Sequence, residues 1–149
     1  MIKIRSGRVK SAAATGGLLA GLLGGALAGA PSATAAPADF PCSYGGIVYN
    51  NVTTPTSYKY IPYAGNTPDC WLDRGMSNTA VRALQKNLNS CYGYKLATDG
   101  VFGALTESAL ISVQRKVGVA ADGDYGPKTR KAMVWANYRI ETGARINCN

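Results

Sequence analysis

The sequence contains no histidine, and its acidic side chains are eight carboxylates. Without an imidazole, it lacks the usual ligands of zinc hydrolases and the base that activates a serine or cysteine nucleophile. A glycosidase needs only two carboxylates across a cleft. The conceivable pairs join Glu141 to Asp69 or Asp73, but the short segment 37–72 offers too little chain to build a sugar cleft. We therefore expect no catalytic residue, no metal site and no cofactor.

Residues 1–36 are predicted to be a secretory signal peptide. Four basic residues lie within the first ten positions, residues 11–30 are uncharged, and small residues allow cleavage between residues 35 and 38. A permanent membrane anchor is the alternative, but the Gly- and Ala-rich stretch is only weakly apolar. Cleavage would lower the formal charge from +8 to +4, since 12 basic and eight acidic residues remain. This charge favours an anionic surface as partner, while the absence of basic runs between aromatic residues disfavours nucleic acid.

The four cysteines are predicted to form two disulfides. Cys42, Cys70, Cys91 and Cys148 all follow the predicted signal peptide, and an even number in a small exported domain is typical of a disulfide framework. Zinc is the alternative, but there is no Cys-x-x-Cys pair. Three pairings are possible. We prefer Cys70–Cys91, which would run beside a helix, and Cys42–Cys148, which would tie the C-terminal tail to the N-terminal segment.

A phrase of eight residues occurs twice, 23 positions apart, as D-G-V-F-G-A-L-T from position 99 and D-G-D-Y-G-P-K-T from position 122. The match extends to Ala109 with Ala132 and to Gln114 with Asn137. Asp-Gly predicts a turn, the aromatic residue an anchor in the core, the second Gly a bend, and Thr the first turn of a helix. The residues given these structural roles are Asp99, Gly100, Phe102, Gly103, Thr106, Asp122, Gly123, Gly126 and Thr129.

Three helices are predicted around this repeated unit. Ser77 is expected to cap the first, which Gly93 ends; the second spans about 105–117 before Gly118, and the third begins at Pro127. Apolar residues recur at intervals of three and four, and in the third helix the apolar face is assigned to Ala132, Met133, Trp135 and Ala136. The predicted fold class is all-α, a small three-helix bundle over residues 73–140, followed by a tail, 141–149, that carries Cys148.

Residues 37–72 are predicted to be an irregular, disulfide-tethered arm, with one short strand at positions 47–49. The arm contains five tyrosines and many Pro, Thr, Asn and Gly residues, but few aliphatic residues for a core of its own. The tyrosines are Tyr44, Tyr49, Tyr58, Tyr60 and Tyr63. Stacking of these rings on sugars is one interpretation, and packing against the neighbouring helices is the one we favour.

Residues 75–136 resemble the helical peptidoglycan-binding domain of bacterial wall hydrolases. The resemblance depends on Gly75, the stretch from Val81 to Leu88, Gly93-Tyr94 and the two Asp-Gly-x-[Phe/Tyr]-Gly-x-x-Thr phrases. It implies a three-helix module that holds a secreted protein on the bacterial cell wall. Because saccharide sites combine aromatic rings with a few polar groups, the candidate ligand-binding residues are Tyr92, Tyr94, Gln114, Tyr125 and Arg130.

The predicted function is therefore that of a secreted, wall-associated and non-catalytic protein that binds peptidoglycan or another anionic wall polymer as a monomer. No nucleic-acid partner and no stable membrane anchor after processing are expected. The alternative is a secreted protein-interaction or inhibitor module that uses the same fold, with the tyrosine-rich arm as its contact surface.

Overall fold

The computed structural model describes residues 40–149, which form three α-helices and a four-stranded β-sheet. In chain order the elements are β1 (Tyr44–Tyr49), β2 (Ser57–Tyr63), α1 (Thr79–Tyr92), α2 (Ala104–Val117), α3 (Pro127–Ala132), β3 (Ala136–Arg139) and β4 (Arg145–Cys148). The predicted signal peptide and its cleavage position lie outside the described residues. None of the helices in the described part is long and apolar enough to cross a membrane.

The sheet is antiparallel throughout, with the strand order β1-β2-β3-β4. β1 and β2 form one hairpin and β3 and β4 another, while the three helices lie in the connection between β2 and β3. β2 and β3, which that connection separates in the sequence, pair with each other, as in Ser57 with Arg139 and Tyr58 with Tyr138. The sheet therefore joins strands from all three predicted segments: the arm, the helical domain and the tail.

The prediction of an all-α fold with an irregular arm was wrong, because the fold is mixed α and β. Tyrosine favours strands, and β2 reads SYKYIPY, but the prolines and glycines around it indicated loops. Pro62 is compatible with β2 because β3 pairs only with residues 57–59, which leaves β2 with a single neighbour at Pro62.

The helices begin and end at residues with defined capping chemistry. Asn78, and not Ser77 as predicted, caps α1, since its Oδ1 accepts a hydrogen bond of 3.0 Å from the backbone N–H of Val81. Gly93 and Gly118 end α1 and α2 in the left-handed conformation, with φ of 77° and 75°.

The third helix is shorter than predicted. It begins at Pro127 but ends at Ala132, and Met133 already has the extended backbone. Met133, Trp135 and Ala136 were assigned to its apolar face; they are buried, but they lie beyond the helix, and Ala136 begins β3.

One core lies among the three helices and the sheet. Leucines of α1 and α2 contribute to it, and so do residues outside the helices. The largest of its fully buried side chains are Tyr125, Phe102, Leu72, Leu84, Leu88 and Leu110. Cys42 and Ile61 belong to the same cluster, so the segment predicted as an arm contributes directly to this core.

The disulfides pair as Cys42–Cys70 and Cys91–Cys148, with Cα–Cα distances of 5.0 and 5.8 Å. The preferred pairing, Cys70–Cys91 with Cys42–Cys148, was therefore wrong. Cys42 donates its backbone N–H to the carbonyl of Trp71, which brings Cys70 next to it. β4, at the edge of the sheet, carries Cys148 to the last turn of α1, where Cys91 lies.

Candidate functional site

The second Asp-Gly turn is held by one buried glutamine, Gln114 of α2. The two hydrogens of its Nε2 are shared among three acceptors: Asp122 Oδ1 at 2.8 Å, the carbonyl of Asp124 at 2.9 Å and Thr129 Oγ1 at 3.2 Å. Its Oε1 accepts the backbone N–H of Gly123 at 2.9 Å. The side chain has no exposed surface, so its amide holds the loop and the first turn of α3 together.

Gln85 of α1 makes the same four hydrogen bonds to the first turn. Its Nε2 donates to Asp99 Oδ1, to the carbonyl of Val101 and to Thr106 Oγ1, and its Oε1 accepts the N–H of Gly100. The backbone N–H of Val101 and, secondly, the Gln85 amide stabilise the ionised carboxylate and lower the pKa of Asp99.

The counterpart of Gln114 is thus Gln85, and not the Asn137 that the constant spacing of the phrase suggested. Sequence reasoning missed Gln85 because it precedes its turn aspartate by 14 residues, whereas Gln114 precedes Asp122 by eight. The longer connection in the first unit hides the equivalence.

Tyr125, one of the candidate ligand residues, is also fully buried. Its ring packs edge-on against Trp135, with 6.2 Å between the ring centroids. Burial raises the pKa of its hydroxyl well above the usual value; the Arg130 guanidinium lowers it in part, and the Asp69 carboxylate adds to the rise. Among residues 40–149, no atom forms a hydrogen bond with this hydroxyl. A direct ligand contact by Tyr125 or Gln114 would require the core to open.

The other three candidates, Tyr92, Tyr94 and Arg130, are only partly buried. Tyr92 accepts the backbone N–H of Val134 at 2.9 Å, and burial raises the pKa of its hydroxyl. Tyr94 packs partly against the core. Arg130 forms an ion pair of 2.6 Å with Asp69. The carboxylate of Asp69, which the sequence analysis considered as a catalytic group, is therefore bound in this ion pair.

A cleft of 260 Å³ lies between α1, the segment that precedes the first turn, and the start of α2. We call it the α1–α2 cleft; Leu96, Ala97, Val101 and Leu105 supply apolar atoms to its wall, and Gln85 and Asp99 supply polar ones. Leu105 is 78% exposed and Val101 is 47% exposed. The second phrase has Lys128 at the position of Leu105, so the local fold does not itself require an apolar residue there.

A larger groove of 490 Å³ lies between α1 and one face of the sheet. We call it the tyrosine groove, because its main lining residues are Tyr58, Tyr60 and Tyr138 from the sheet and Lys86, Asn89 and Ser90 from α1. Stacking on sugars was the less favoured interpretation for Tyr58 and Tyr60, and Tyr138 was not among the candidate ligand residues. The run of tyrosines in β2 was the one sequence signal for this groove. Neighbouring residues did not show that this segment forms a strand, because its partner β3 is distant in the sequence.

No group of three or more metal-ligating side chains occurs within residues 40–149. The four cysteines of that part of the chain are all in disulfides.

The helical part of the chain is similar to a known family of domains. Residues 77–133 match a family described as a putative peptidoglycan binding domain. The match includes α1, α2, α3, both glutamine-held turns and the α1–α2 cleft. The peptidoglycan-binding domain match excludes β1, β2, β3 and β4, and hence the three tyrosines of the groove.

Two curated relatives are similar over the same module. The chain is 43% identical over 65 residues to a probable N-acetylmuramoyl-L-alanine amidase of Bacillus licheniformis, which covers 42% of this chain and 18% of the relative. It is 39% identical over 64 residues to the N-acetylmuramoyl-L-alanine amidase CwlM of Mycobacterium tuberculosis, which covers 43% and 16%. The chain thus spans less than a fifth of the length of these relatives.

A solved structure of a peptidoglycan-binding protein from Clostridioides difficile, in complex with glutamine hydroxamate, is also similar. The sequence identity is 29%, the match covers 58% of this chain and 54% of that one, and the TM-score is 0.45.

Proposed function

We propose that this protein is a secreted, non-catalytic protein that binds the peptidoglycan of bacterial cell walls through its helical module. The observation that carries the proposal is the match of residues 77–133 to a peptidoglycan-binding domain. The two amidases support it, because the similarity to each is confined to 16–18% of its length and leaves out the rest of those proteins. The two disulfides are compatible with export, since disulfides persist in oxidising compartments.

Within the module, we assign the contact to the α1–α2 cleft. It is concave and lined mainly by apolar groups, with a few polar atoms from Gln85 and Asp99, as is usual for ligand sites. Its rim exposes Leu105 and Val101 without an evident structural need. The predicted contacts of Tyr92, Tyr94 and Arg130 remain proposals, and each is tested by the same assay.

The test is retention of the purified protein on insoluble peptidoglycan at physiological salt, with Leu105→Lys as the variant. The fold should accept lysine, as it does at position 128, while the cleft loses its apolar rim and retention should fall. Val52→Lys is the matched control: it adds the same charge at a side chain that is 92% exposed in the β1–β2 connection. If the unmodified protein is not retained, the proposal is wrong and the interaction-module alternative is favoured.

Export and the absence of catalysis are tested separately. Mass spectrometry of the secreted protein should give an N-terminus between residues 36 and 38, as expected for cleavage of the signal peptide 1–36. Incubation with labelled cell-wall material should release no soluble fragments. A cleared band in a gel that contains wall material would overturn the non-catalytic assignment.

A further inference from the structure

The tyrosine groove owes its aromatic surface to strand register. Residues that are directly opposed in an antiparallel sheet lie on the same face. Tyr58 is opposite Tyr49 on one side and Tyr138 on the other, and Tyr60 is opposite Ile47. The rings of Tyr58 and Tyr138 stack, with centroids 5.6 Å apart and planes at 29°. Three strands thus place their aromatic residues side by side on one face.

The rings are held in place from more than one side. A Cβ at Gly45 would come within 2.1 Å of the Tyr60 ring, so glycine in β1 leaves room for this ring to lie against the backbone. On the other side, Lys86 Nζ lies 5.5 Å from the centroid of Tyr60. Tyr138 Oη and Ser90 Oγ are 3.0 Å apart and share a hydrogen bond. The aromatic surface is therefore preorganised.

The positive charge of Lys86 favours some classes of ligand in the groove over others. Among residues 40–149, the lining of the groove includes the ammonium of Lys86 and the hydroxyls of tyrosines and Thr98, but no carboxylate. A ligand with free amino groups is disfavoured there, whereas neutral or anionic groups that accept hydrogen bonds are favoured. Flat aromatic rings beside hydroxyl and ammonium donors fit a pyranose ring, whose C–H faces pack on aromatic faces while its oxygens accept hydrogen bonds.

The groove is adjacent to the α1–α2 cleft. The segment 96–99 separates the two: Thr98 lines the groove, and its neighbours Ala97 and Asp99 line the cleft. On α1, Lys86 lies in the groove and Gln85 in the cleft. A polymer bound in the cleft can therefore continue over this segment into the groove.

We propose that the tyrosine groove is a carbohydrate site that binds the glycan strand of peptidoglycan, independently of the stem peptides. This inference builds on the proposed function but assigns the sugar contact to residues that lie mostly outside the matched domain. It implies that the sheet adds a glycan-binding surface to the helical module.

The experiment measures binding of the purified protein to peptide-free glycan strands and to soluble N-acetylglucosamine oligomers by calorimetry and NMR. The side-chain resonances of Tyr58 and Tyr138 should shift on titration. Tyr58→Ala should weaken glycan binding about 10-fold, the equivalent of ~1.4 kcal/mol, whereas Tyr58→Phe, which keeps the ring, should bind within about 2-fold. Tyr44→Ala is the matched control, because Tyr44 lies on the opposite face of the sheet and is 39% exposed.

Retention on intact peptidoglycan distinguishes the two proposals. If intact peptidoglycan retains the protein but peptide-free glycan does not bind, the groove assignment is wrong and the proposed function stands. Unchanged glycan binding by Tyr58→Ala would also overturn the assignment. A shift of the Tyr58 and Tyr138 resonances by free stem peptide, and not by glycan, would identify a peptide site instead. The NMR titration of the unmodified protein decides the question even if a variant fails to fold.

Discussion

Replacement of Gln114 by leucine should destabilise this protein severely, although the two side chains are similar in size. Gln114 connects α2, the second Asp-Gly turn and α3 through a single amide. Leucine fills most of the same volume, so the cavity contribution to the loss is small. The free energy of unfolding should fall because the hydrogen bonds are lost.

The size of this loss in unfolding free energy depends on which polar groups stay buried without a partner. The N–H of Gly123 loses its acceptor, and Gly123 is itself buried, so this group alone costs about 1–3 kcal/mol. The bonds to the Asp124 carbonyl and the buried Thr129 hydroxyl contribute about 0.5–1.5 kcal/mol each. Asp122 is exposed, and water can replace its bond. The expected loss is therefore roughly 3 kcal/mol, which is a large part of the stability of a small domain.

Urea unfolding with both disulfides intact, followed by circular dichroism, measures this loss. Arg115→Leu is the control, because Arg115 is the exposed neighbour on α2 and its replacement should change stability by less than about 0.5 kcal/mol. A loss below about 1 kcal/mol for Gln114→Leu would refute the reasoning, since it would mean that the turn finds other partners. Gln114→Glu should also destabilise, because it sets a carboxylate against Asp122 Oδ1.

Three further outcomes are expected. Tyr125→Phe should leave stability at neutral pH unchanged or raise it by up to ~1 kcal/mol, because it removes a buried hydroxyl without a hydrogen bond among the described residues. The pKa of Tyr125 is higher in the folded state than in the unfolded state. The free energy of unfolding of the unmodified protein is therefore unaffected by this group below the unfolded-state pKa and falls as pH rises above it, because the unfolded chain ionises first. The variant lacks this group and should resist alkaline unfolding better. In Gln85→Leu, the pKa of Asp99, followed by NMR, should rise towards its usual value but only in part, because the larger contribution from the backbone remains. Peptide mapping should give Cys91–Cys148, and its replacement by two serines should cost about 4 kcal/mol in thermal or urea unfolding, as expected for a separation of 57 residues.

Local features of the helical module could be predicted because neighbouring residues determine them. The Asp-Gly turns have glycines with positive φ at Gly100 and Gly123, and α3 begins at Pro127 as expected. Gly93 and Gly118 end their helices in the predicted places. Each of these features depends on backbone preferences within a few residues.

Features that depend on distant residues could not be predicted in the same way. Asn87 of α1 shows the difficulty: it is a buried amide that donates to the carbonyl of Val134 and accepts the N–H of Ala136. Nothing near position 87 in the sequence indicates that a strand will begin beside it. The hydrogen bonds of Gln85 and the pairing of Tyr58 with Tyr138 were missed for the same reason.

The sequence by itself predicted the two Asp-Gly turns, the start of α3, the glycines that end α1 and α2, and the resemblance to a peptidoglycan-binding domain. Only the tertiary structure decided that residues 57–63 and 136–139 pair into one sheet, that Cys42 bonds to Cys70, and that three tyrosines from two distant segments line one groove. The physical reason is that turns and caps are stabilised by adjacent backbone groups. Strand pairing and disulfide pairing depend instead on which distant segments the folded chain brings together. Bringing them together costs loop-closure entropy, and packing of the whole core offsets that cost.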